Sequence, residues 1–171
     1  MSEKPEADPK HTIAVLVDNE PGVLARVVGL FSGRGYNIDS LTVAEVDTRR
    51  DRSRINIVTS GNEMIIDQIR AQLERLVPVF NVVDLTEDGP SIERELALIK
   101  VVATGENRIE ALRVADIFRA RAVDSTLGSF VFEVTGDSSK VNAFIDLMEP
   151  LGLAEVSRTG VVAIARGADA M

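Results

Sequence analysis

Residues 18–38, DNEPGVLARVVGLFSGRGYNI, hold a helix with both of its ends written into the sequence. Pro21 and Gly22 break the chain. From Gly22 onward, Val23, Leu24, Val27, Val28, Leu30 and Phe31 recur at helical spacing, and Gly33 and Gly35 end the run. Upstream, His11 to Val17 (HTIAVLV) alternates around Ile13, Val15 and Val17 and reads as a strand that Pro21 keeps from continuing. Downstream, Ile38 to Val46 reads as a second strand, DTRRDRS as a hairpin loop, and Arg54 to Thr59 as a third strand. Ile65, Ile66, Ile69, Leu73 and Leu76 mark a second helix stopped by Pro78, and Val79 to Leu85 a fourth strand. The order is βαββαβ.

The loop TEDGPS at 86–91, rich in turn formers and acids, is the expected domain boundary. The pattern then repeats. Leu96–Ala103 reads as a strand, and Ala111, Val114, Ala115 and Phe118 mark a helix. Ala122–Thr126 and Ser129–Thr135 read as strands broken at Gly128. Asp137, Ser138 and Ser139 offer caps to a helix carrying Val141, Phe144, Ile145 and Met148 and ended by Gly152. Leu153–Ile164 closes the unit as a strand interrupted at Gly160. Two consecutive βαββαβ units predict an α+β fold made of two ferredoxin-like sandwiches, each an antiparallel sheet with helices on one face.

Composition narrows the function. A 171-residue chain that is 45% hydrophobic can bury a core, and a net charge of -8 opposes nonspecific binding to a phosphate backbone. Without cysteine there is no disulfide, thiolate metal site or cysteine nucleophile. MSEKPEADPK has neither the apolar stretch of a signal peptide nor the arginines of a transit peptide, and residues 1–10 are expected to be a disordered tail. No apolar run approaches the ~20 residues that span a bilayer, so a cytoplasmic protein with no membrane or nucleic-acid partner is expected.

Catalytic constellations are missing from the sequence. His11 is expected to be a partly exposed edge residue without a carboxylate partner. There is no Walker loop and no HExxH, and the Gly-x-Gly of GRGY follows a helix rather than a strand. Glu93, Glu95, Asp137 and Glu149 are expected to be solvated or in caps. Arg49, Arg50, Arg52 and Arg54, interleaved with Asp47 and Asp51, read as a solvated hairpin tip or a docking contact. The start of the first helix is different. Its unpaired N–H groups and positive dipole end suit a carboxylate, Gly22 leaves them approachable, and Asp18 and Asn19 can cap the helix or offer oxygens to an ammonium. A plain cap and turn would use the same residues.

DNEPGVLARVVGLFSGRGYNIDSLTV on a βαββαβ frame resembles an ACT domain. In detail it is similar to the regulatory (small) subunits of acetohydroxyacid synthase, also called acetolactate synthase. RELALIKV (94–101), IFRA (117–120) and SRTGVVAIARG (157–167) resemble the second domain of those subunits, so the likeness runs from His11 to Gly167. It implies an ACT effector-binding domain at 11–86, a linker at 87–92 and a second ferredoxin-like domain at 93–167. It also implies a noncatalytic chain without its own metal or cofactor. The partner would be a catalytic subunit carrying thiamine diphosphate, magnesium and flavin, which the chain activates and subjects to feedback inhibition by valine or another branched-chain amino acid. On the family's pattern the effector site falls on Asn19, Gly22, Val23 and Leu24 of one protomer and on Asn37 and Ile38 of its partner in a homodimer. A free-standing amino-acid sensor is the alternative. A small metabolite lyase or mutase is the competing enzyme class, and the sequence offers no convergent titratable groups for it.

Overall fold

A computed structural model describes residues 8–171. Of the expected amino-terminal tail, residues 1–7 lie outside the described residues, and Lys10 already belongs to the first strand. The chain divides into two compact units, residues 8–92 together with 163–171, and residues 93–162.

In the first unit the elements are β1 (Lys10–Asp18), α1 (Val23–Arg34), β2 (Ser40–Asp47), β3 (Arg52–Ser60), α2 (Glu63–Leu73) and β4 (Val79–Asp84). The sheet order is β2-β3-β1-β4 with every pairing antiparallel, the arrangement a split βαβ crossover gives. Ile13, Val15 and Val17 of β1 and Ile55 and Ile57 of β3 meet Val23, Val27 and Phe31 of α1 and Ile66, Ile69 and Leu73 of α2 in one core. Each such side chain, fully buried, contributes about 1.5–3 kcal/mol before the entropy of ordering it is subtracted.

β1 is an inner strand, and its residues are buried on both faces from His11 to Val15. That overturns the expectation of an exposed edge histidine. His11 is buried, and its Nδ1 lies 2.8 Å from Asp84 Oδ2 at the end of β4.

The second unit holds β5 (Ser91–Val102) from Glu93 onward, α3 (Gly105–Ile117), β6 (Arg121–Ser125), β7 (Ser129–Gly136), α4 (Ser138–Gly152) and β8 (Leu153–Arg158), in sheet order β6-β7-β5-β8. β5 begins inside the expected linker, at Ser91. Its core stacks Phe132 against Phe144 edge to face at 6.0 Å, with Phe118 and Phe130 beside them. Asp137 caps α4 by accepting from the Lys140 N–H at 2.9 Å. That backbone hydrogen bond, with one from Ser139, holds the Asp137 carboxyl below the ordinary carboxylate range. Glu95, expected to be solvated, is instead buried and ion-paired with Arg158.

The expected last strand is broken as its sequence suggests. β8 ends at Arg158, and β9 (Val162–Ala165) resumes after Gly160. From Ala163 onward the chain belongs to the first compact unit rather than to the second.

Candidate functional site

Gly22 is the N-cap of α1, with φ 88° and ψ -7°. This left-handed backbone is where a glycine costs least, so the turn favours the residue, and its missing side chain leaves the helix end open. Among the described residues no side chain caps the helix. Val23 N–H returns to the Glu20 carbonyl at 3.4 Å, and Arg26 N–H to the Gly22 carbonyl at 3.1 Å. The remaining first-turn amides lie at the positive end of the helix dipole.

Asn19 does not cap α1. Its backbone N–H donates to the Asp51 carbonyl at 2.7 Å, its Nδ2 to Asp51 Oδ1 at 3.3 Å, and its Oδ1 accepts from Ser53 Oγ at 3.0 Å. The side chain therefore binds the β1–α1 loop to the hairpin between β2 and β3. Asp51 reads in the sequence only as an acid within the arginine cluster, and Ser53 not at all, because the contact spans more than 30 residues and no local spacing encodes it.

Val23 points into the core and can offer only its backbone, whereas Leu24 is 40% exposed at the helix start. Glu20, beside them, is paired with Arg26 at 3.3 Å.

The second group of expected residues lies past the other end of α1. Gly35 closes the helix in the left-handed conformation, φ 72°, and Tyr36 N–H reaches the Phe31 carbonyl at 3.0 Å, the six-to-one bond of a Schellman close. Gly33, expected to help end the helix, lies within it. Asn37 follows, exposed, donating from Nδ2 to Asp39 Oδ1 while its carbonyl accepts from Thr59 Oγ1 at 2.6 Å. Burial alone would raise the Asp39 carboxyl. The hydrogen bond and charge of Lys10, 3.1 Å away, outweigh it with help from Ser60 and Asn37, and the group sits below its ordinary value. Ile38 packs against the core.

Twelve residues of α1 separate the two groups, a rise of about 18 Å. One chain thus carries the two expected groups of residues at opposite ends of a helix.

The arginines of the hairpin divide by role. Arg49 and Arg50 donate their backbone N–H groups to Asp47 at the tip, and Arg52 stacks over the Phe80 ring at 3.8 Å. Arg54 is half-buried and donates from Nη2 to the Ala163 carbonyl at 2.7 Å and from Nε to Asn56 Oδ1 at 3.3 Å. Desolvation lowers its pKa, and among the described residues it has no ion-pair partner.

Among the described residues, ligand atoms of His11, Asp84 and Glu87 fall within 4.8 Å of one another. Asp84 Oδ1 accepts from Thr86 N–H at 2.9 Å while Oδ2 meets His11, an arrangement that staples the loop after β4 to β1. No helix among the described residues is long and apolar enough to cross a membrane.

Two family profiles match the chain: "AHAS small subunit-like ACT domain" over residues 13–81 and "Small subunit of acetolactate synthase" over residues 94–167. The probable acetolactate synthase small subunit of Archaeoglobus fulgidus is 53% identical over 158 residues, covering 92% of this chain and 98% of the relative. The acetolactate synthase small subunit of Aquifex aeolicus is 47% identical, covering 92% and 81%. Among solved structures, the acetolactate synthase small subunit of Thermotoga maritima superposes with a TM-score of 0.83 at 38% identity, covering 94% of this chain and 99% of that one. With its order of two βαββαβ units and this likeness along nearly its whole length, the chain belongs to the family of acetolactate synthase small subunits.

Proposed function

We propose that the chain is the regulatory partner of a separate, cytoplasmic catalytic subunit, which carries thiamine diphosphate, magnesium and flavin. It raises that subunit's activity and inhibits it when a branched-chain amino acid, valine first, binds at the start of α1. The observation that carries this is the uncapped helix end at Gly22. First-turn amides and the dipole receive the effector's carboxylate, and the absent side chain leaves room for it. Leu24 and, across the interface, Ile38 supply apolar contacts for the side chain, and the Asn37 amide supplies a polar one. One or two methylene-sized contacts discriminate between such side chains by only about 1–3 kcal/mol, so leucine and isoleucine are candidates as well.

A homodimer completes the site. β2 is an edge strand with Val43 and Val46 exposed, a surface suited to pairing with a second copy. An antiparallel β2–β2 contact brings the start of one strand, preceded by Asn37 and Ile38, beside the end of the other. That end leads into the hairpin whose Asp51 and Ser53 hold the Asn19 loop of the same chain. The match of residues 94–167 to the small-subunit family favours this reading over a free-standing sensor.

The test is to copurify the chain with an acetolactate synthase catalytic subunit, measure acetolactate formation with and without valine, and determine the free chain's mass by light scattering. Expected are a dimer, activation on reconstitution, and inhibition by valine. A chain that stays monomeric at micromolar concentration with and without valine overturns the shared site. Pyruvate turnover by the chain alone overturns the regulatory reading.

A further inference from the structure

Three hydrogen bonds form a continuous polar ladder across the sheet of the first unit. Asn56 Nδ2 donates to Thr42 Oγ1 of β2 at 3.1 Å, Arg54 Nε donates to Asn56 Oδ1 at 3.3 Å, and Arg54 Nη2 donates to the Ala163 carbonyl at 2.7 Å. Arg54 and Asn56 alternate with Ile55 and Ile57, which enter the helix-side core, so the ladder lies on the opposite face of the sheet.

One end of the ladder is the edge strand β2. The other is the segment beginning at Ala163, which lies 109 residues further along the chain yet belongs to this compact unit. Arg54 also directly follows Ser53, the residue that holds Asn19 and with it the β1–α1 loop. The arginine therefore stands where the edge strand, the candidate effector loop and the carboxyl-terminal segment meet.

A half-buried guanidinium paired, among the described residues, with neither Asp nor Glu is unusual, because a desolvated cation is normally matched by an acid. Here its acceptors are a neutral amide and a carbonyl. Neutral acceptors hold a guanidinium less tightly than a carboxylate does, and such a bond can be made and broken by a shift of the strand.

We propose that Arg54 is a positioning residue for regulation: it couples the state of the effector loop and of the β2 edge to the segment starting at Ala163. That segment continues, through Val162, the chain of the second unit. The proposal rests on the regulatory reading above. It predicts that binding and inhibition can be separated at a residue that touches no effector.

The experiment uses full-length chain reconstituted with the catalytic subunit, and L-valine, L-leucine and L-isoleucine as probes. Arg54→Met keeps most of the stem and removes every donor. Calorimetry on the free full-length chain, where no catalytic subunit contributes coupling, is expected to give an effector affinity within about twofold of wild type. Activity at saturating effector is expected to rise towards the uninhibited level, because a coupling of typically 5- to 150-fold falls towards one. Arg54→Lys keeps the charge and a donor for Ala163 but loses the fork that also reaches Asn56, and is expected to retain part of the inhibition. If Arg54→Met does not fold, as judged by circular dichroism, Arg54→Lys decides alone.

Full inhibition in Arg54→Lys would then overturn the proposal, and so would wild-type inhibition in a folded Arg54→Met. Affinity and inhibition falling in parallel would assign Arg54 to the binding site or to the fold, and would overturn it too. Wild-type chain that binds none of the three amino acids overturns the regulatory reading, and this proposal with it. Wild-type inhibition accompanied by no change in the Arg54 variants removes the proposal alone.

Discussion

Gly22→Asp and Gly22→Asn form a matched pair that isolates charge at the proposed effector site. Gly22 has φ 88°, and a Cβ built there meets no heavy atom within 4 Å, so adding a Cβ costs backbone strain and no steric overlap. For alanine that strain is about 1–2 kcal/mol, and for asparagine and aspartate it is less, because both tolerate the left-handed region. The two variants should therefore melt within a few degrees of each other. They should not bind alike. A carboxylate at position 22 would stand about 4 Å from the effector's carboxylate, and at an effective dielectric near 20 the repulsion is up to ~4 kcal/mol. If water and side-chain rotation relieve half of it, ~2 kcal/mol remains, about a 30-fold loss of affinity beyond whatever Gly22→Asn shows. Valine is titrated calorimetrically into each variant, and inhibition is measured in the reconstituted holoenzyme. Equal valine affinities for Gly22→Asp and Gly22→Asn would refute the idea that a carboxylate docks on this helix end.

The remaining predictions concern the supporting frame. Asn37→Ala should weaken valine binding by the equivalent of about 1–3 kcal/mol in calorimetry while leaving the Thr59 bond to the residue-37 carbonyl in place. Asp39→Asn should lower the melting temperature at neutral pH. The Asp39 pKa is depressed in the folded state, so its contribution is present above the unfolded carboxylate value near 4 and disappears as pH falls through the folded value. Melts of wild type and variant should accordingly converge at low pH. In the second unit Gly152 has φ 115°, and a Cβ there would lie 2.1 Å from the Val102 carbonyl oxygen. Gly152→Ala should cost about 2–5 kcal/mol in urea unfolding, against less than about 0.5 for Gly128→Ala, where the added atom meets nothing. Phe31→Ala removes a ring buried in the first core and should cost about 3–5 kcal/mol. Because the two cores share no residue, calorimetry should show the loss in one transition and leave the second unit's transition in place.

Much of this frame is legible in short windows of sequence. The stripe Val23, Val27 and Phe31, the terminal Gly35 and the cap Asp137 each depend on residues within a turn or two, where helical period and backbone preference act directly. What escaped has its partner far along the chain. His11 reads as exposed from its neighbours, yet β1 is an inner strand and Asp84, 73 residues on, meets it. Asn19 has the chemistry of a cap, and it is taken by Asp51 and Ser53 across the sheet end. Glu95 alternates like a solvated strand residue until Arg158 pairs with it. The return of residues 163–171 to the first unit has no local signature, since β9 is four ordinary small and branched residues. For the candidate site, residue type pointed to the helix start at Asn19 and Gly22, and the family resemblance alone to Asn37 and Ile38, while the left-handed Gly22 and the holding contacts of Asn19 and Asn37 emerge only from the folded chain.

The length of α1 makes the proposed site divisible by genetics. Gly22 and Asn37 of one chain stand about 18 Å apart along the helix, so each two-fold dimer would carry two pockets, each assembled from unlike ends of the two chains. Mixing a Gly22→Asp chain with an Asn37→Ala chain would then produce hybrids in which one pocket inherits both lesions and the other inherits neither. Two defective chains would complement each other, restoring half of the valine sites in every hybrid, and the fraction of responsive enzyme would follow the binomial odds of subunit mixing.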